Sequence, residues 1–152
     1  MLVAALAAAT TAGALAQVAP GSGSVTVSLS SSRAGARPVV VTLAVHTELQ
    51  CGRLTGGTVV IRLPVAERVP AAVPAAAVLV GGKTSGGVAV QGHVLTVTVP
   101  RTTGVICDVI GPGTVQVVLG RAAGLGNPPQ AGTYSLSVAR GRLLLTTHFR
   151  VR

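Results

Sequence analysis

Aromatic side chains are almost missing from this chain: 152 residues contain one Tyr, one Phe and no Trp. Modules that bind sugars or single-stranded nucleic acid usually stack their ligands on exposed rings. Tyr134 and Phe149 cannot form such a platform if they lie in a core, so a specific nucleic-acid partner is not expected. Acids are nearly as scarce, with Glu48, Glu67 and Asp108 set against twelve Lys and Arg. Three scattered carboxylates offer no pair for glycoside hydrolysis. Cysteine occurs twice, at Cys51 and Cys107, and neither has the C-x-x-C neighbour by which a zinc or dithiol site is read.

Catalytic motifs fail for specific reasons. Gly82-Lys83-Thr84 follows an apolar run as a phosphate loop would, but the first glycine of that motif falls on Ala77, and Ser85-Gly86-Gly87 cannot open a helix. The stretch reads as a hairpin turn. Gly124-x-Gly126 has Pro129 where a dinucleotide fingerprint needs its third glycine, and no Gly-x-Ser-x-Gly elbow is present. His46, His93 and His148 are far apart in the chain, so neither a metal nor a cofactor is expected, and the chain reads as a non-enzyme.

What is present is a strand signal. Hydrophobic residues make up 49% of the chain and charged residues 10%, far from a disordered composition. Val25-Thr26-Val27-Ser28-Leu29-Ser30 alternates apolar and small polar residues at period two, the mark of a half-buried strand. The same signature returns at 38–46, 57–63, 76–80, 88–91, 94–99, 114–119, 133–139 and 143–151. Gly, Pro and Ser clusters separate these runs, and 64–74 reads as a crossing from one sheet to another. Eight or nine short strands at this spacing predict an antiparallel β-sandwich. Val, Leu, Ile and Ala must supply its core, which β-branched side chains suit.

The N-terminus predicts export. Leu2 to Ala16 is an apolar run ending in Ala14-Leu15-Ala16, a small-x-small pattern of signal cleavage, and it falls short of the ~20 apolar residues that span a bilayer. Residues 1–16 are therefore expected to be a signal peptide, or a retained anchor, with 17–24 a linker and 25–152 one sandwich domain. In an exported protein an even cysteine count predicts a Cys51–Cys107 disulfide.

Tyr134 stands at the start of the penultimate strand, after Gly124-Leu125-Gly126-Asn127-Pro128 and Ala131-Gly132. This resembles the tyrosine corner of immunoglobulin-like sandwiches, in which the phenol bonds backbone a few residues upstream. Together with the 25–42 region, the Gly56 to Pro64 strand and the Val88 and Val94 to Val99 pair, the closing segment is similar to an immunoglobulin-like module repeated in exported and surface-layer-type bacterial proteins. The resemblance implies an accessory or structural role at the cell surface or outside the cell, with Asn127, Pro128, Gly132 and Tyr134 forming a structural corner. Other envelope proteins are the partners that such a role brings.

The formal charge of +9 admits a second reading, a binder of anionic cell-wall polymers. Arg140, Arg142, Arg150 and Arg152 are its candidate residues. A hairpin of the last two strands places the first pair at the tip and the second at the far end, which predicts weak, salt-sensitive polyanion binding.

Overall fold

The computed structural model describes residues 23–47, 57–101, 114–141 and 143–152. Ten strands form two antiparallel sheets of five: β1 (Gly23–Leu29), β2 (Val41–Thr47), β3 (Thr58–Arg62), β4 (Val78–Val80), β5 (Lys83–Thr84), β6 (Gly87–Gln91), β7 (Val94–Thr98), β8 (Thr114–Leu119), β9 (Gly132–Arg140) and β10 (Leu143–Val151). The first sheet runs β1-β2-β8-β4-β5 and the second β10-β9-β3-β7-β6. The expected β-sandwich is what forms.

Period-two alternation makes it so. Val41, Leu43 and Val45 on β2 are buried, as are Val115, Val117 and Leu119 on β8, while Thr42, Ala44, Gln116 and Val118 between them face outward. Registers Leu43↔Val117 and Val45↔Val115 stack like with like, and the second sheet answers with Ile61, Leu95, Leu136 and Val138. At ~25 cal/mol per Å² of apolar surface removed from water, an aliphatic core of this extent can hold the sheets without large rings. The two rings that exist meet across a strand pair. Tyr134 lies opposite Phe149, centroids 6.0 Å apart and tilted by 32°.

Three details depart from expectation. A tenth strand appears because Gly81 and Gly82, at φ 58° and 81°, close a two-residue hairpin that gives Lys83–Thr84 a partner in β4. Second, β2 begins at Val41 rather than Pro38. Pro38 has no N–H to offer a ladder, the Val39 N–H donates to Leu125 O at 2.9 Å and the Val40 N–H to Ser30 Oγ at 2.9 Å. Third, β1 starts at Gly23, inside the expected linker. A side chain there would stand 2.7 Å from His46 O, so only glycine fits where β1 meets β2 and Leu145.

Candidate functional site

The connections at the two ends of the sandwich differ. At one pole, the β1–β2 loop, the β3–β4 crossing, the β8–β9 loop and the C-terminus are bonded into a knot. Asn127 is its centre. It is 2% exposed, its backbone N–H donates to Ala36 O at 3.0 Å, and its Nδ2 donates to both Ser31 O and Arg33 O at 2.8 Å. An amide suits this position because it offers two N–H donors to carbonyls that have no strand partner. Beside it, Gly126 and Arg68 exchange two backbone bonds of 2.9 Å, and the Gly35 N–H donates to Pro128 O at 2.9 Å. A Cβ on Gly126 would press on the Arg37 side chain at 3.3 Å. The C-terminus closes the knot, the Arg152 N–H donating to Ser32 O and Arg152 O accepting from Ala34 N–H, both at 2.7 Å.

Tyr134 rises from this knot into β9. Its hydroxyl donates to Gln130 O at 2.9 Å, four residues upstream, and its ring packs over Gly132, where a Cβ would lie 3.5 Å away. The ring is half-buried rather than fully buried, because it sits at the rim of the inter-sheet space with only Phe149 as a ring neighbour.

Of the four arginines proposed from the chain's end, the three that are described do not all converge. Register pairs Arg140 with Leu143 and Arg150 with Thr133, at opposite ends of the β9–β10 hairpin, roughly 20 Å apart at the rise of a strand. Arg140 shares the inward parity of Leu136 and Val138. It is half-buried, and with Val45, Val59, Val115, Val138 and Leu145 it lines an apolar pocket between the sheets with about 10 Å³ of free volume, room for one water at most. Burial lowers the pKa of its guanidinium from the ordinary value. Arg142, Cys51 and Cys107 lie outside the described residues.

What the structure brings together instead is a set that local sequence does not group. Arg33 and Arg37 on the first loop, Arg68 on the crossing, Arg121 in the 3-10 turn after β8, and Arg150 and Arg152 at the C-terminus all occupy the knotted pole, and all six are exposed. They come from three separate Gly- or Pro-punctuated connections and the end of β10, so no run of basic residues announces them.

Two further groups bear on chemistry. Glu67, on the β3–β4 crossing, is 5% exposed, and its Oε2 has no hydrogen-bond partner among the described residues. Desolvation by burial pushes its carboxyl up to about 7. The histidines stay apart: His46 pairs with Thr114 Oγ1 at 2.9 Å on the first sheet, while His148 sits on β10 and His93 in the β6–β7 turn. Among the described residues no three His, Cys, Asp or Glu come together.

The geometry defines a β-sandwich whose best-organised region is a bonded loop knot rimmed by arginine. Comparison with protein-family models and with curated proteins finds no match. Among solved structures, that of BslA, a bacterial hydrophobin, is similar with a TM-score of 0.51 and 16% identity, over 86% of this chain and 98% of that one. At that identity the likeness speaks for the fold.

Proposed function

We propose that the protein is a non-catalytic, exported structural or adhesive module of the bacterial envelope or exterior. The observation that carries this reading is the outer face of the first sheet. Register aligns Ser28, Thr42, Val118, Leu79 and Thr84 in one row, and Thr26, Ala44 and Gln116 in the next, and the one charged residue on these strands, half-exposed Lys83 at the sheet edge, stands outside both rows, opposite buried Val80. Soluble domains usually intersperse charge over such a face. A neutral, short-chained surface on a protein of formal charge +9 suits lateral contact with a neighbour or a substratum.

The immunoglobulin-like assignment draws support from strand order. In variable-type immunoglobulin domains the sheets read A-B-E-D and G-F-C-C′-C″. Here β1-β2-β8-β4 and β10-β9-β3-β7-β6 occupy those places, with Tyr134 near the start of the strand at position F. The chain visits the middle strands in another order, β4 before β6 and β7. The hydrophobin likeness agrees with a non-catalytic role, and the apolar segment 1–16 with export.

Fractionation of the producing bacterium tests the reading. The mature protein should be recovered from the cell wall or the medium, and its adsorption to surfaces should fall when Thr42→Lys and Val118→Lys place charge on the neutral face. Recovery from the cytosol alone would sink it.

A further inference from the structure

We propose that the knotted pole is a binding site for a non-nucleic anionic polymer, a chain of repeated phosphodiester or carboxylate groups, held by Arg33, Arg37, Arg68, Arg121, Arg150 and Arg152. The inference deepens the structural reading above by naming what the module would hold on to.

Three observations carry it. The first is convergence. Asn127 binds the carbonyl of Arg33, Gly126 packs against the Arg37 side chain and exchanges both backbone bonds with Arg68, and Arg152 is bonded to Ser32 and Ala34 on the same loop. Arg150 lies two residues before Arg152 on β10, and Arg121 opens the turn that leads into Gly124 and this knot. A buried amide and paired backbone bonds thus hold the loops that present the guanidinium groups, which limits the ordering cost on binding.

The second is charge without compensation. All six side chains are exposed, and among the described residues none of the six guanidinium groups has an ion-pair or hydrogen-bond partner. The one described acidic side chain, Glu67, is buried beneath this region rather than displayed beside it. Half of the chain's twelve cations therefore face solvent from one end. Summed fields of this kind attract polyanions.

The third is the choice of residue and the lack of rings. Guanidinium forks match phosphate and carboxylate oxygens two at a time, which Lys does not do. Bases of single-stranded nucleic acid need aromatic faces to stack on. The single Tyr of this chain has its hydroxyl engaged with Gln130 and its ring beside Phe149, which is buried. The pole reads charge and offers nothing to a base.

Arg140, which sequence proximity links to Arg150 and Arg152, is excluded from this site by its inward parity at the opposite pole. The weak binding expected from two isolated pairs gives way to a site of six.

The test is titration calorimetry of the mature protein with poly(glycerol phosphate), with a carboxylated polysaccharide, with free glycerol phosphate and with single-stranded DNA. Either polymer should bind and the monomer should not. With six contacts and single-strand-like counterion release, the log–log salt slope should be about −4, an affinity loss on the order of 300-fold between about 50 and about 200 mM salt. Arg33→Gln with Arg68→Gln should weaken polymer binding at least about tenfold and flatten the slope by about 1.4, whereas Arg62→Gln with Arg101→Gln, equal in charge, should leave the slope unchanged. Circular dichroism confirms that both variants stay folded.

Equal losses in the two double variants would reduce the binding to bulk charge and overturn the site. DNA binding as tight as that of either polymer would overturn the class of partner. Preference between the two polymers identifies the anion. Failure here leaves the structural reading intact, because binding in solution does not depend on where the cell puts the protein, and cytosolic recovery would sink that reading without touching this result.

Discussion

Single residues divide sharply between those that hold the pole and those that tune it. Asn127→Ala removes two side-chain bonds in a part-buried loop, leaving the Ser31 carbonyl without its amide donor and the Arg33 carbonyl with the Ala36 N–H alone, at 3.2 Å. The expected loss is about 2–4 kcal/mol, read as a shift in the urea midpoint. Tyr134→Phe deletes one bond at a half-buried rim, so about 0.5–1.5 kcal/mol is expected from the same measurement. A larger effect at Tyr134 than at Asn127 would reverse the assignment of the knot's centre. Glu67 acts through pH. Its folded-state pKa of about 7 lies above the ordinary 4.5, so the folded state holds the proton more tightly than the unfolded chain does. Stability is therefore greatest below about pH 4.5 as far as this group is concerned, falls as pH rises to about 7, and is level above that, with a total change of about 3 kcal/mol. Glu67→Gln should abolish that slope and raise the melting temperature at pH 8. A wild-type profile flat between pH 5 and 7 would refute it.

At the scale of elements, the strands differ in what maintains them. The central β2 and β8 are each paired on both sides and bury every second residue, so they depend little on their turns. β5 has two residues and one partner, and exists because Gly81 and Gly82 both accept positive φ. No atom would crowd a Cβ on Gly82, so the cost of Gly82→Ala is backbone strain alone, about 1 kcal/mol, and it should appear as faster amide exchange at Ser85, whose N–H donates to Val78 O, before global stability changes. The β9–β10 hairpin is longer and pairs all nine residues of each strand, which is why its two ends stand so far apart and its terminal arginines belong to different poles.

For the whole molecule, the two poles are unlike. One is bonded shut by Asn127, Gly126 and the C-terminus. At the other, the described ends of the segments bearing Cys51 and Cys107 meet each other, since Val99 N–H donates to Gly57 O at 2.9 Å and His46 pairs with Thr114. Two segments so tied favour the disulfide. Non-reducing mass spectrometry of protein recovered outside the cell should find no free thiol, and reduction should cost about 4 kcal/mol on the chain-entropy view of a loop of this length. Two free thiols in protein recovered outside the cell would exclude the bond.

Sequence alone determined the sandwich, because burial of one strand face demands period-two alternation and Gly and Pro clusters must interrupt it. Val41 to Val45, Val115 to Leu119 and Leu136 to Val138 are legible in that way without any coordinates. The resemblance to a tyrosine corner pointed the Tyr134 hydroxyl at backbone a few residues upstream, and the structure chose Gln130 O. Tertiary structure decided everything that depends on which loops meet. The Arg33 and Arg37 pair, Arg68 and Arg121 are separated by dozens of residues, and nothing in a chain's order records that three connections and the last strand return to one end of two sheets. Arg140 shows the limit from the other side. Its period-two parity with Val138 already pointed inward, but its nearness to Gly141 suggested an exposed tip, and only the closing of the sheets chose between them.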